Sequence, residues 1–167
     1  EKSGSGHTAR LIMELCPEGQ ELFLVRDFRD MYCSMLQFSQ RRQTVDFGWQ
    51  PEHADDYMDI VAERVEQLRV SFENRVKQPL VLRYEDLLTK PRETLQQLLS
   101  EMNLSHNPNT IEKMVNTMNN KVEGHQTSKN AHDSIQRWKK ELNRKQRSRI
   151  NKIMRQSLST FGYEVKE

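Results

Sequence analysis

The sequence predicts an α/β domain built on a parallel sheet, and three observations carry that prediction. Residues 22–25, Leu-Phe-Leu-Val, form a short apolar run that ends in alternating charge at Arg26, Asp27, Arg29 and Asp30, followed by a helical stretch to about residue 42. Residues 80–82, Leu-Val-Leu, repeat the pattern and run through Arg83 into Tyr84-Glu85-Asp86-Leu87. Between them, residues 54–76 place Tyr57, Ile60, Val61, Val65, Leu68 and Phe72 at three- and four-residue steps, the spacing of an amphipathic helix. Strand, charged turn, helix and second strand make the unit of a parallel sheet, and such sheets bind ligands beyond the carboxyl ends of their strands.

Composition bounds what this unit can belong to. A chain of 167 residues is one domain or a piece of one. With 35% hydrophobic and 30% charged residues the core is modest and the surface wet, yet the apolar periodicity is too regular for a disordered chain. A net charge of +2 makes no case for nucleic-acid binding by bulk charge. The charge is uneven, since residues 137–155 hold nine basic residues against one acidic residue, Glu141. Cys16 and Cys33 make neither a disulfide framework nor a metal-ligand cluster, and two thiols fit a reducing, cytoplasmic compartment. No stretch is long or apolar enough to cross a membrane. The chain opens at Glu1 without a methionine, so its natural start is expected upstream, where a signal or an anchor to a compartment such as the Golgi lumen would lie.

Each element follows from local chemistry. Residues 1–8, Glu-Lys-Ser-Gly-Ser-Gly-His-Thr, are glycine- and serine-rich but not a Walker loop, because Lys2 precedes both glycines. Residues 8–16 read as a helix with Leu11, Ile12 and Leu15 on one face, ended by Pro17-Glu18-Gly19. The run 22–25 reads as a buried strand. Arg26 stands at its end, and Ser34 stands two turns along the next helix, so that a guanidinium and a hydroxyl come together to hold a phosphate. Residues 43–51 form a loop whose Phe47 and Trp49 either line a substrate cleft or plug a core edge. On the helix of 54–76 the face opposite the apolar stripe carries Glu63, Arg64, Glu66 and Arg69, and we read the helix as structural.

Thr89, Pro91 and Glu93 start a helix with Leu95, Leu98, Leu99 and Met102 on its apolar face. Asn107-Pro108 opens another, striped by Ile111, Met114, Val115 and Met118. Residues 119–133 are polar and read as a mobile loop. Its His125 and His132 lack the i, i+4 spacing of a paired metal site, and no metal is expected. Asn143 caps a final helix with Ile150, Ile153, Met154, Leu158 and Phe161 inward, stopping at Gly162.

Several of these strings resemble landmarks of the sulfotransferases that use 3′-phosphoadenosine 5′-phosphosulfate. The strand followed by Arg26-Asp27-Phe28-Arg29-Asp30, with Ser34 eight positions after Arg26, is similar to the family's 3′-phosphate segment, with Phe28 where proline is usual. Tyr84-Glu85-Asp86-Leu87, then Pro91 and a leucine-rich helix, resembles a second landmark. Ser134-Ile135-Gln136-Arg137-Trp138 resembles a third, with Gln136 in place of glycine, and Phe161-Gly162-Tyr163 looks like the family's closing Leu-Gly-Tyr. Glu1-Lys2 is similar to a Glu-Lys string, with Ser3-Gly4 replacing Thr-Pro. The branch looks nearest the bacterial and the protein-tyrosine or carbohydrate-type enzymes.

The resemblance implies a three-layer fold like that of the P-loop NTPases, of which this chain is a C-terminal, helix-rich portion. It implies sulfonate transfer to a hydroxyl or amine, without a metal. Arg26 and Ser34 would bind the 3′-phosphate, Tyr84 would contact the adenine, Arg137 would close over the phosphate and Lys2 would assist the leaving group. Trp138 reads as a packing anchor, and His7 is a candidate base on geometry alone. The family's Pro-Lys-Ser-Gly-Thr-Thr loop for the 5′-phosphosulfate has no counterpart here. The 167 residues alone are therefore expected to be an N-terminally incomplete single domain completed by an upstream segment or a second chain, or else a degenerate relative, with poor turnover or none. The alternative is a non-catalytic module that uses the basic run 137–155 for nucleic acid or an acidic partner; the base expectation for such a run is a solvated helix face. A nucleotide kinase is disfavoured by the absent Walker lysine and by Tyr84-Glu85-Asp86-Leu87.

Overall fold

The computed structural model describes residues 6–42, 56–118 and 130–165. Lys2, Phe47, Trp49 and His125 lie outside the described residues. Two strands, β1 (Leu22–Val25) and β2 (Leu80–Arg83), pair in parallel, in register from Leu22 opposite Leu80 to Val25 opposite Arg83. Helix α1 (Gly6–Leu15) precedes β1, and α2 (Phe28–Arg42) and α3 (Tyr57–Glu73) lie between the strands. After β2 come α4 (Tyr84–Thr89), α5 (Pro91–Glu101) and α6 (Pro108–Met118). A 3-10 turn at His132–Ser134, overlapping the end of the stretch read as loop, leads into α7 (Trp138–Glu141), α8 (Arg144–Ile153) and α9 (Arg155–Thr160). The described residues thus form a mixed, helix-rich α/β arrangement around a small parallel sheet.

The element ends are set by short-range chemistry. Asp27 starts α2: its Oδ1 accepts from the Arg29 backbone N–H at 3.0 Å. Phe28 takes the first helical position, where proline is well tolerated, but here an aromatic is needed for packing. It is buried edge-on against Phe161 and Tyr163 at centroid distances of 5.6 and 6.3 Å. Asn107 Oδ1 accepts from Thr110 N–H at 2.9 Å, and Asn143 and Gln146 close a reciprocal capping box. Gly162 has φ 75°, the left-handed turn that glycine adopts at least cost after a helix.

The core lies between α2, α3, α8 and α9. Phe28 and Tyr32 meet Tyr57, Val61, Val65 and Phe72, and Ile150, Met154, Leu158 and Phe161 close the far side. Three expectations change. The run 22–25 is not buried throughout: Val25 is enclosed and Phe23 packs on Phe72, but Leu22 and Leu24 on the other face are 39% and 61% exposed. An unbroken apolar run suits a parallel sheet covered on both faces, and only one face is covered among the described residues. Arg69 belongs to the inner side of α3, four residues after buried Val65. It is 7% exposed and ion-paired with Glu66 and Glu73. The final helix breaks at Met154 into α8 and α9, and Ile153 falls on the solvent side of the Ile150–Met154 stripe. Leu11, Ile12 and Leu15 share α1 but stay exposed.

Candidate functional site

Arg26 leaves the end of β1 and is held from two sides. Its Nη2 donates to the Ser134 backbone carbonyl at 2.8 Å, and its guanidinium carbon lies 5.0 Å from the centre of the Tyr84 ring, at the start of α4. Tyr84 Oη and Ser134 Oγ are 3.4 Å apart. Arg26 Nε is buried and has no hydrogen-bond partner. A buried donor on a cation, left unpaired, costs free energy until an acceptor reaches it. A carboxylate or phosphate oxygen is the kind of acceptor that a guanidinium matches. Two of the predicted site residues, Arg26 and Tyr84, therefore stand together, with Ser134 as a third member.

The segment from Ser134 to Trp138 is tied to the start of α2 a second time. Asp30, fully enclosed, accepts from Gln136 N–H at 2.7 Å through Oδ2 and from Trp138 N–H at 3.0 Å through Oδ1. Burial is the largest influence on this carboxyl and pushes its pKa up to about 6; the Trp138 amide, as donor, pulls the other way. Gln136, where the sequence pattern wants glycine, has φ 56°. Arg137 follows it and is itself buried: Nε donates to Glu141 Oε1 at 2.8 Å and Nη2 to Gln37 Oε1 at 2.9 Å. Trp138 is the packing anchor expected, buried with the Arg29 guanidinium 4.1 Å from its ring centre.

Ser34 lies half-buried on α2, one helical turn before Gln37. The adjoining Cys33 thiol is pushed up to about 12, mainly by burial and next by Glu141 and Asp30, while Arg137 and Arg26 oppose the shift. Lys2 falls outside the described residues, and His7 contributes backbone to α1. His132 is exposed, and among the described residues no group of three or more metal-ligating side chains gathers.

A network that the sequence reading did not single out carries this geometry. Glu85 Oε1 accepts from Asp27 N–H at 2.9 Å, and Glu85 Oε2 accepts from the Tyr163 hydroxyl at 2.8 Å. Asp27 in turn receives Nε and Nη2 of Arg29 at 2.8 and 2.7 Å, and Arg29 Nη1 reaches Asn151 Oδ1 at 2.9 Å. Arg83 covers the Tyr163 ring at 4.4 Å and donates to the Gly162 carbonyl. Glu85 sits inside the Tyr-Glu-Asp-Leu string, the one sequence signal that pointed to it.

Compared with known protein families, residues 5–108, more than half of the chain, match the sulfotransferase family. The match includes Arg26, Ser34, Tyr84 and Glu85; Ser134, Arg137 and Tyr163 lie beyond it. No curated protein and no solved structure matches the chain. Among the described residues no helix is long and apolar enough to cross a membrane.

Proposed function

Because the chain belongs to the sulfotransferase family, we propose that it serves sulfonate transfer from 3′-phosphoadenosine 5′-phosphosulfate to a hydroxyl or amine acceptor. The observation that carries this reading is the unpartnered, buried Nε of Arg26 beside the Tyr84 ring. Arg26 and Ser34 hold the 3′-phosphate, Tyr84 contacts the adenine and Arg137 closes over the phosphate. In such a transfer the protein supplies positioning and charge neutralisation more than covalent chemistry. Lys2 neutralises charge on the leaving oxygen. The three-layer fold, and backbone N–H donors for the 5′-phosphosulfate from an upstream segment or a second chain, complete the proposal.

Titration calorimetry with 3′-phosphoadenosine 5′-phosphate, AMP as control, tests it on the wild type and Arg26→Ala. We expect the wild type to prefer the 3′-phosphorylated nucleotide by about tenfold or more and Arg26→Ala to lose that preference, since a charge-assisted fork contributes at least about 1.4 kcal/mol. Equal affinity of the folded wild type for both nucleotides would sink the reading.

A further inference from the structure

We propose that Asp30 is a positioning residue of the phosphate site: its carboxylate fixes the backbone on both sides of Arg137, and so sets where Arg137 stands relative to Arg26. The inference rests on the reading that these two arginines hold the 3′-phosphate. Asp30 is fully enclosed and both of its oxygens are engaged, one by Gln136 N–H and one by Trp138 N–H. It therefore acts through the backbone of Arg137 and not by touching a ligand.

The local geometry explains why one carboxylate reaches two amides. Gln136 is left-handed at φ 56°, and Arg137 follows in the right-handed region at φ −60°, ψ −31°. Successive residues of opposite hand turn their N–H groups into a concavity that receives an anion. Here the anion is Asp30, from the first turn of α2. The other end of the segment is fixed by Arg26, whose Nη2 donates to the Ser134 carbonyl. Residues 134 to 138 are thus strapped to residues 26 to 30 at both ends, and the two arginines proposed to bind phosphate belong to the two sides of the strap.

The charged and titratable groups that act on Asp30 are Asp27 and Arg26 in the preceding turn and Cys33 on the next turn of α2; the strap itself presents the two amides. Protonation turns one carboxylate oxygen into a hydroxyl and weakens the hold on one amide. The carboxyl, raised by burial to about 6, makes that change accessible in mild acid.

Two measurements decide the matter. The first is calorimetry of the wild type and Asp30→Asn with 3′-phosphoadenosine 5′-phosphate and with AMP at neutral pH. The second is a pH titration of the wild-type amide resonances by 15N NMR without ligand. We expect Asp30→Asn to lose about tenfold or more in affinity for the 3′-phosphorylated nucleotide with AMP binding unchanged. The Gln136 and Trp138 amides should titrate together with a midpoint at about 6. A nucleotide preference retained in Asp30→Asn overturns the inference alone. A wild type with no preference overturns it together with the phosphate-site reading. If Asp30→Asn does not fold, the wild-type amides still decide: if the Gln136 and Trp138 resonances follow the titration of Asp30 with different midpoints, the inference is overturned.

Discussion

The Tyr163 hydroxyl donates to Glu85 at 2.8 Å, joining the end of the chain to the start of α4, and the same carboxylate accepts the backbone N–H of Asp27. One side chain thereby fixes the turn that launches Arg26. Tyr163→Phe keeps the ring contacts with Phe28 and Arg83 and removes only the hydroxyl. The expected loss is about 1 to 2 kcal/mol, for a hydrogen bond to a charged acceptor in a partly buried place. Urea unfolding of the two proteins measures it, and equal midpoints would show that the hydroxyl contributes nothing.

Gln136 carries a backbone conformation that glycine adopts freely and other residues adopt at a cost. Gln136→Gly keeps the N–H that reaches Asp30, and we expect it to be more stable than Gln136→Ala by about 1 kcal/mol. Comparing two variants that both lack the side chain isolates the backbone effect. An alanine variant as stable as the glycine variant would contradict it.

Phe28→Pro puts proline at the first position of α2, where its ring fits the helix. Against that small gain stands the loss of an aromatic side chain that is 2% exposed and packed on Phe161 and Tyr163. Cavity formation should prevail, with a loss of about 3 kcal/mol or more. Thermal unfolding checks the direction, and a variant of equal or higher stability would refute it.

Asp30 makes stability depend on pH in the direction opposite to an ion-paired carboxylate. Its folded pKa is raised from 3.8 to about 6 by burial, so the folded state holds its proton more tightly than the unfolded chain. The stability from this linkage is fully present below 3.8 and is lost as pH rises through about 6. Relative to Asp30→Asn, which cannot titrate, the wild type should lose about 3 kcal/mol across that window. Urea unfolding of both proteins from acid to neutral pH gives the difference directly. Parallel stability curves would show that Asp30 titrates normally.

Features set by neighbours in sequence were legible before the structure. The run at residues 22–25, the capping residues Asn107 and Asn143, the proline at the head of α5 and the glycine turn at 162 each depend on a few adjacent residues, and each is present. Arg26 and Tyr84 were legible as strand-end residues, and they meet. What was not legible depends on what lies across a contact. Glu66 and Glu73 stand one turn either side of Arg69 in sequence, but nothing there says that the guanidinium will be buried while its two partners stay half-exposed. Nothing near residue 22 says which face of the strand will be covered. Asp30 and Gln136 are 106 positions apart and Glu85 and Tyr163 are 78 apart, so periodicity and spacing carry no trace of either pair.

The strap between residues 26–30 and 134–138 also has a kinetic meaning. Its contacts close loops of more than a hundred residues, and the entropy of closure is spent before any of them is made. The strap therefore forms only once these two distant segments have docked, and its presence marks a chain folded across that span. A ligand that binds there selects the finished state over every partly folded one and raises the unfolding midpoint of the whole chain as its concentration rises.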